Sequence, residues 1–176
     1  MIDLRGKTAL VTGGNRGIGR SVVLLLARAG ADVALTYHTR AEEAEAVAKE
    51  VRSLGQRSYV AGGDLSDPDV TDRLRSGVKR EMGGLDIFVA NAGVWPAEAV
   101  ALADMDVARW RRTREANLDS VFLSTREALR LMRAGGRVVI VSSTAGQRGE
   151  AFHGDYAASK GALIALTKSL AIECAP

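Results

Sequence analysis

A tyrosine and a lysine four positions apart, in the stretch "YAASK", are the residues whose types and spacing point most directly to chemistry. They are Tyr156 and Lys160. In a helix this spacing puts both side chains on one face. A free phenol, with a pKa of about 10, is a poor proton partner near neutral pH. A neighbouring ammonium group favours the phenolate and lowers that pKa. The pair is therefore typical of acid–base chemistry in which Tyr156 exchanges the proton and Lys160 lowers the pKa of the phenol.

A glycine-rich turn, "TGGNRGIG" at residues 12–19, follows a short apolar run near the start of the chain. Its G-x-x-x-G-x-G spacing lets a backbone approach a pyrophosphate closely, and the amides that open the following helix face the charge. A tight strand-to-helix connection is the alternative, but the position within a βαβ unit favours phosphate binding. The residues predicted to contact a dinucleotide here are Gly13, Asn15, Arg16, Gly17, Ile18 and Gly19.

The end of the second apolar run indicates which dinucleotide binds. A carboxylate there would bond the ribose hydroxyl of NAD, whereas a basic environment suits the 2′-phosphate of NADP. Tyr37 stands where the acid is expected, and His38 and Arg40 follow it. Arg16 adds a cation on the same side, and guanidinium donors match phosphate oxygens. We therefore predict that NADP(H) is favoured over NAD(H). Arg16 is the stronger candidate, because Arg40 taken alone also fits a solvated residue at a helix start.

Five short apolar runs predict the strands that position these residues. They lie at 8–12, 32–37, 57–62, 86–91 and 137–143. Nearly continuous apolar strands of this kind are typical of a parallel sheet that is covered on both faces.

Between the strands, apolar residues recur at helical spacing. The first three predicted helices are marked by Ile18, Val22, Leu25, Leu26 and Ala29, then Ala44, Val47, Ala48, Val51 and Leu54, then Val70, Leu74, Val78 and Met82. A fourth helix is expected over about 106–133 and a fifth over about 155–174. This alternation predicts an α/β fold, a doubly wound parallel sheet with helices on both faces, as one domain spanning 1–176.

The bulk composition excludes several classes of protein. The 176 residues are 47% hydrophobic and 26% charged, which is typical of a globular chain. The net charge of +3 comes from scattered basic residues, which favours a solvated surface over a nucleic-acid face. With Cys174 as the only cysteine, no intrachain disulfide or multi-cysteine metal site can form. No metal is expected. No secretory signal or apolar run of about 18 residues is present, so a cytoplasmic location is predicted.

Six motifs in order carry a resemblance to a known family. They are "TGGNRGIG", "DL" at 64–65, "NAG" at 91–93, Asn117, Ser143 and "YAASK". With them the sequence resembles the short-chain dehydrogenase/reductase family, most of all its 3-oxoacyl-acyl-carrier-protein reductase group and relatives of other specificity. The resemblance implies a Rossmann-like NAD(P)-binding domain and hydride transfer between NADP(H) and a carbonyl or alcohol substrate. 3-Oxoacyl thioesters are one candidate class.

The resemblance also implies roles for single residues. Tyr156 is the acid, and Lys160 also holds the nicotinamide ribose. Ser143 orients the substrate oxygen; Ser142 is its rival, but the family spacing to the tyrosine favours Ser143. Asn117 distorts the fourth helix and holds a water that relays protons. The adenine pocket and the floor under the cofactor involve Asp64, Leu65, Asn91, Ala92 and Gly93.

Three loop residues and one helix face remain open at this point. Trp95, Phe152 and His153 either contact substrate or pack within their loops; His153 as the catalytic base is disfavoured, because Tyr156 and Lys160 fill that role. The fifth helix carries a stripe of small residues, Ala158, Ala162, Ala165 and Ser169. By resemblance, the fourth and fifth helices pair across a two-fold axis, so a homodimer or homotetramer is expected. The alternative is that the stripe packs on its own sheet.

Family members continue beyond "LAIECAP" with further strands and a segment that covers the substrate. The fifth strand is therefore expected at a sheet edge, and the domain is expected to be incomplete at its C-terminus. A partial record of a longer product is the favoured interpretation; a natural truncation that binds dinucleotide without turnover and a misfolding-prone fragment are the others. The alternative function is a non-catalytic dinucleotide-binding fragment or oligomerisation module.

Overall fold

Five parallel strands form the sheet in the computed structural model, which describes residues 2–175. In chain order they are β1 (Thr8–Val11), β2 (Asp32–Tyr37), β3 (Ser58–Gly62), β4 (Leu85–Ala90) and β5 (Met132–Ile140). Their order across the sheet is β3-β2-β1-β4-β5, and every neighbouring pair is parallel. The order reverses between β1 and β4, and open α/β sheets bind ligands at that point, beyond the carboxyl ends of the strands.

The helices cover both faces of this sheet, as predicted. They are α1 (Gly17–Arg28), α2 (Ala41–Ser53), α3 (Pro68–Met82), α4 (Val107–Arg114), α5 (Ser120–Leu129), α6 (Thr144–Arg148) and α7 (Gly154–Glu173). One apolar core lies under α1 and α2 and includes Val23 and Val47. The other lies under α3, α5 and α7 and includes Val78, Phe88 and Leu163. The predicted Rossmann-like α/β architecture is confirmed.

The buried face predicted for the first helix is wrong at Ile18 and Leu25, whereas Val22 and Leu26 do pack against the core. Ile18 and Leu25 are 67% and 62% exposed, whereas Val23 and Ala27 are buried. The glycine turn explains the difference, because Gly19 lies so close to the carbonyl oxygen of Gly13 that a side chain there would collide with it. With Gly19 held against the turn, the residues four and eight positions later face inwards too. The unbroken apolar run in the middle of this helix hides that phase in the sequence.

The predicted fourth helix, 106–133, is also corrected. It comprises α4, a π-helical turn at Glu115–Asp119 and α5, and it ends at Leu129. Met132 already pairs with Leu85 of β4, while the regular pairing of β5 begins only at Arg137, after a shift in register. Apolar residues continue past the end of the helix, so spacing alone does not mark the boundary. The short helix α6 and a 3₁₀ turn at Leu102–Asp104 were not predicted.

The predicted position of the fifth strand at an edge is confirmed. β5 pairs only with β4 within the described sheet, and Val139 is half-exposed on it. Across residues 2–175, none of the helices combines the length and apolar character needed to cross a membrane.

Candidate active site

A cleft of about 860 Å³ opens beyond the carboxyl ends of the strands, at the point where the strand order reverses. Every residue predicted from the sequence to contact a dinucleotide lines it. The other lining residues, which the sequence had not singled out for the cofactor, include Thr36, Gly63, Ser66, Trp95, Arg112, Val141 and Ser142. Such a volume and position suit a cofactor site. Within residues 2–175, no group of three or more His, Cys, Asp or Glu side chains is arranged to hold a metal ion.

The glycine turn has the geometry of an anion cradle. Gly13 and Gly17 adopt φ values of 63° and 55°, a left-handed conformation that glycine enters without strain. The amide of Gly13 donates to the Thr36 hydroxyl at 3.1 Å, which holds the turn against β2. No side chain caps the N-terminus of α1 at Arg16. The opening amides of α1 and the positive end of its dipole are thus presented to the cleft, as a pyrophosphate requires.

Two polar side chains fasten this turn to β4. The Thr12 hydroxyl accepts hydrogen bonds from the amides of Asn91 and Ala92, both at 3.0 Å. In return, the Asn91 side chain donates to the carbonyl oxygens of Thr12 and Gly13 at 3.0 and 3.2 Å. Asn91 therefore supports the floor of the cleft as well as lining it. Sequence reasoning gave Thr12 no role, because a threonine at a strand end is ordinary.

The two arginines proposed to bind the 2′-phosphate differ in whether an acidic side chain already pairs with them. The Arg40 guanidinium donates to Glu43 at 2.8 Å, so an acidic neighbour already occupies it. Arg16 is exposed and forms no ion pair with any residue of the part of the chain that the structure describes. Burial raises the pKa of the Asp64 carboxyl, but hydrogen bonds from the Ser66 amide and hydroxyl outweigh it and hold that pKa below its usual value.

Tyr156 and Lys160 lie together on α7, as the spacing predicts. The Lys160 Nζ lies 5.8 Å from the centroid of the Tyr156 ring. Lys160 is only 4% exposed, and its ammonium donates to the carbonyl oxygen of Val141 at 3.0 Å. Burial lowers the pKa of this amine, because removing the charged form from water costs free energy. The arrangement keeps a cation beside a phenol at the cleft wall.

The backbone of Lys160 is held as firmly as its side chain. The Ser142 hydroxyl donates to the Lys160 carbonyl oxygen at 2.7 Å. Gly146 of α6 packs directly on the backbone of Lys160 and Gly161, where a side chain would lie 2.6 Å from a backbone carbon. The end of β5 and α6 therefore fix the part of α7 that carries the lysine.

The two serines that sequence reasoning had to separate have different partners. The Ser142 hydroxyl donates a hydrogen bond to the backbone carbonyl oxygen of Lys160. The Ser143 oxygen caps α6 by accepting a hydrogen bond from the Ala145 amide at 3.2 Å, so its own proton stays available to another acceptor. Ser142 belongs to the cleft lining, while Ser143 lies just outside it, half-buried. The hydroxyl proton points to Ser143 and the cleft lining to Ser142, so the choice of Ser143 stays a prediction.

Asn117 lies in the π-helical turn between α4 and α5 and is fully buried. Its side chain accepts from the Val94 amide at 2.8 Å and donates to the Val94 carbonyl oxygen at 3.0 Å. A side chain at Gly93 would lie 2.7 Å from the Asn117 Oδ1 and 3.3 Å from the Lys160 Nζ. Asn117, Lys160 and the backbone after β4 thus meet at one point. The distortion of this helix at Asn117 agrees with the expectation, since π turns often mark functional sites.

The three loop residues left open by the sequence separate clearly. His153 is buried, with its ring nitrogens 3.2 and 3.1 Å from the carbonyl oxygens of Ala151 and Pro96. Trp95 lines the cleft and contacts both His153 and Tyr156. Phe152 is exposed and does not belong to the cleft lining. His153 is therefore a packing residue, which argues against its use as a base.

A buried ion pair beside the site was missed. Arg109 of α4 donates to Asp155 at 3.1 Å, and the Thr113 hydroxyl donates to the same carboxylate oxygen at 2.8 Å. Burial raises the pKa of Asp155, but these two hydrogen bonds outweigh it and hold that pKa below the usual value. Asp155 directly precedes Tyr156. An acidic residue at the start of a helix was the available signal, but nothing in the sequence identified Arg109 as its partner.

Known proteins share this sequence and architecture. Residues 7–176 match the family described as short chain dehydrogenase. The chain is 37% identical over 172 residues to versicolorin reductase 1 of Aspergillus parasiticus, covering 97% of this chain and 65% of that protein. It is 36% identical over 171 residues to a 3-oxoacyl-acyl-carrier-protein reductase of Staphylococcus aureus, covering 96% and 69%.

Solved structures agree with the sequence matches. A short-chain dehydrogenase from Burkholderia cenocepacia, crystallised in complex with NADP, is 40% identical and superposes with a TM-score of 0.91, covering 97% of this chain and 69% of that one. A short-chain dehydrogenase/reductase of Serratia marcescens is 39% identical, with a TM-score of 0.89 and the same two coverages. The chain thus spans about two thirds of the length of these relatives. Because the family's model matches residues 7–176, the chain belongs to the short-chain dehydrogenase/reductase family.

Proposed function

We propose that this chain carries the cofactor half and the proton-transfer residues of an NADP(H)-dependent carbonyl reductase. The observation that carries the proposal is the buried ammonium of Lys160 beside the Tyr156 phenol, at the wall of a cleft with a phosphate cradle. Two of the relatives described above are reductases by name, one of them acting on 3-oxoacyl groups carried by a protein. Carbonyl compounds, with 3-oxoacyl thioesters as one class, are therefore the proposed substrates.

The residues present fit a nicotinamide dinucleotide. The turn at 12–19 and the opening amides of α1 would hold the pyrophosphate, Asp64 and Leu65 would border the adenine, and Lys160 would reach the nicotinamide ribose. When bound, this cofactor supplies the hydride in reduction and accepts it in oxidation. Three observations support a preference for NADP(H). Arg16 lines the cleft, and position 37, where an NAD-binding carboxylate is expected, is a tyrosine. The Burkholderia relative was crystallised in complex with NADP.

In the reducing direction, the carbonyl carbon gains a hydride and the carbonyl oxygen gains a proton from the Tyr156 hydroxyl. The ammonium of Lys160 stabilises the negative charge of the phenolate left behind. The Ser143 hydroxyl donates a hydrogen bond to the same carbonyl oxygen and fixes its position. Asn117 keeps the backbone at Val94 in place beside Lys160, and we propose that it also takes part in returning a proton to Tyr156.

Replacing Tyr156 with phenylalanine tests the proton-transfer role. Because general acid catalysis contributes about 10²–10⁴-fold, Tyr156→Phe should lower kcat by at least about 100-fold. NADPH oxidation at 340 nm with a panel of carbonyl compounds, beside calorimetric NADPH binding, measures both steps. NADPH binding should persist in the variant. Unchanged turnover would rule out Tyr156 as the donor, whereas binding without turnover in the unaltered chain would favour a non-catalytic dinucleotide-binding fragment.

A second pair of variants tests the cofactor preference. Arg16→Gln should weaken NADPH binding about 10–100-fold and leave NADH binding nearly unchanged, because a charge-assisted bond to the 2′-phosphate is lost. Arg28→Gln is the matched control, since Arg28 is an exposed arginine at the other end of the same helix. Calorimetry with both dinucleotides gives the comparison. A wild-type preference for NADH would contradict the role proposed for Arg16.

The predicted homodimer or homotetramer belongs to the same proposal, with contacts through α4–α5 and α7. Ala158, Ala165 and Ser169 of the small-residue stripe are exposed in this chain and Ala162 is half-buried, so the stripe does not pack on its own sheet. Phe122 of α5 is half-exposed as well. The cytoplasmic location stays a prediction from the sequence.

A further inference from the structure

We infer that Trp95 is the specificity-determining wall of the substrate site and that it selects carbonyl compounds whose carbonyl adjoins a planar aromatic ring. This inference rests on the proposed carbonyl reductase function and names the substrate class within it. It starts from the place of one indole ring, between a buried histidine and the phenol assigned as the acid.

The backbone that carries Trp95 is fixed on its N-terminal side. The Asn117 side chain forms two hydrogen bonds with Val94, one to its amide and one to its carbonyl oxygen. Asn117 itself is fully buried within a helix. A side chain that follows such an anchored residue does not have to be ordered by the substrate, so little conformational entropy is lost on binding.

The indole ring is fixed on one face. It stacks on the His153 ring at a centroid distance of 4.2 Å and an interplanar angle of 20°. His153 is 8% exposed, and the carbonyl oxygens of Pro96 and Ala151 lie within hydrogen-bond distance of its two ring nitrogens. The buried imidazole of His153 therefore restricts the movement of the indole ring that stacks on it. It also joins the loop after β4 to the start of α7, since His153 immediately precedes that helix.

Part of the Trp95 side chain remains exposed at the cleft. Trp95 is 51% exposed although His153 covers one of its faces, and it belongs to the cleft lining. About half of Trp95 is thus left uncovered by His153 and Tyr156. Exposed aromatic surface of this size, held rigid beside a reaction site, is suited to stacking with another ring.

The short distance between Trp95 and Tyr156 determines where the carbonyl of a stacked substrate must lie. The Trp95 and Tyr156 rings meet edge to face, with centroids 4.7 Å apart and an interplanar angle of 78°. A group stacked on Trp95 thus lies beside the phenol that donates the proton. A carbonyl attached directly to that group can reach Tyr156, whereas one at the end of a long flexible chain gains nothing from the wall.

The apolar character of the cleft mouth favours the same class. Val94, which also lines the cleft, is half-exposed next to Trp95. The Phe152 carbonyl oxygen accepts a hydrogen bond from the Val100 amide at 2.9 Å, which joins the two loops.

A matched pair of ketones tests the inference. Acetophenone and cyclohexyl methyl ketone have the same carbon count and differ in whether the ring is planar. The kcat/KM ratio of the two in a variant, divided by the ratio in wild type, cancels their different intrinsic reactivity. In Trp95→Leu the preference for acetophenone should fall about tenfold, as expected for a lost apolar contact, while Trp95→Phe should stay within about threefold. Trp110→Phe, a half-exposed tryptophan on α4, is the control and should leave the ratio unchanged.

The supporting residue has its own readout. His153→Ala should lower the aromatic preference by a smaller factor than Trp95→Leu, because the indole remains but is no longer held. An equal loss of activity towards both ketones in Trp95→Leu would instead mean general damage to the site and would overturn the inference.

Equilibrium binding tests the role of Trp95 independently of the proposed reductase activity. Calorimetric titration of both ketones is carried out in the presence of NADP⁺, where no reduction occurs. Tighter binding of acetophenone that is lost in Trp95→Leu and kept in Trp95→Phe supports the wall even if the chain turns over neither ketone. The absence of any aromatic preference in wild type, by binding and by turnover alike, would overturn it.

Discussion

The burial of Lys160 places an ammonium group in the cleft wall at a cost to the stability of the folded state. Its side chain is almost wholly buried, and the Val141 carbonyl oxygen is the hydrogen-bond partner that the structure gives its ammonium. Burial lowers its pKa, so the charged form that the site requires is disfavoured in the folded state. Proteins often accept such a cost at an active site.

Replacing Lys160 with methionine should therefore stabilise the fold while abolishing turnover. At pH 7 the free energy of unfolding should rise by about 1 kcal/mol, because a buried charge gives way to an apolar chain of similar volume. The unfolded chain binds this proton more tightly than the folded chain does. Wild type should thus gain stability relative to the variant as the pH rises from the lowered pKa towards about 10.4.

Urea denaturation between pH 7 and pH 10 measures this difference. Lys168→Met is the matched control, because Lys168 is an exposed lysine on the same helix and should show no such pH dependence. A destabilised Lys160→Met at neutral pH would mean that the bond to Val141 outweighs the burial of the charge.

At the scale of elements, the start of α7 is the part most heavily constrained. Asp155 links it to α4 through Arg109 and Thr113. The Arg109 guanidinium also donates to the Glu98 carbonyl oxygen at 2.7 Å, which adds the loop after β4. Three segments are therefore joined within one residue of Tyr156. The Asp155 side chain at this junction is fully buried.

Breaking this junction should be expensive. Arg109→Met leaves the Asp155 carboxylate buried without its cation and should lower the free energy of unfolding by about 3–5 kcal/mol. Arg20→Met is the control: Arg20 pairs with Glu50 at a similar distance but at the exposed surface, where a pair contributes less than about 1 kcal/mol. Chemical denaturation of both variants gives the comparison, and equal losses would contradict a buried, coupled pair.

At the scale of the whole molecule, apolar and small surfaces remain uncovered. β5 is an edge strand, and the outer side of α7 exposes three residues of the small-residue stripe. Small side chains allow two helices to approach closely, and a two-fold contact would bring the same surface from both copies together. These surfaces make self-association the expected state of the chain.

A charge placed in the stripe tests this expectation. Ala165→Glu should shift the average mass by multi-angle light scattering from a dimer or tetramer towards the monomer, because two carboxylates would meet near the two-fold axis. Ala46→Glu, the same change at an exposed alanine of α2, should leave the mass unaltered. A monomeric wild-type chain at micromolar concentration would rule out the predicted oligomer.

The sequence alone determined the alternation of the five strands with helices, the family, and many of the residues that line the cleft. These features depend on local patterns: apolar runs, a glycine turn between a strand and a helix, and side chains at helical spacing. Tyr156 and Lys160 could be paired in advance because four helical positions fix their relation whatever surrounds them.

The tertiary structure decided what depends on contacts between distant parts of the chain. Gly19 packs on the glycine turn and sets the buried face of α1, against the phase that the apolar run suggested. The Ser142 hydroxyl donates its hydrogen bond to the carbonyl oxygen of Lys160, eighteen residues away, whereas the Ser143 hydroxyl only accepts one, from the Ala145 amide. Trp95, which lines the cleft, stacks on His153 from another loop. Spacing along a chain cannot encode such relations, because they arise where separate elements close around one cleft.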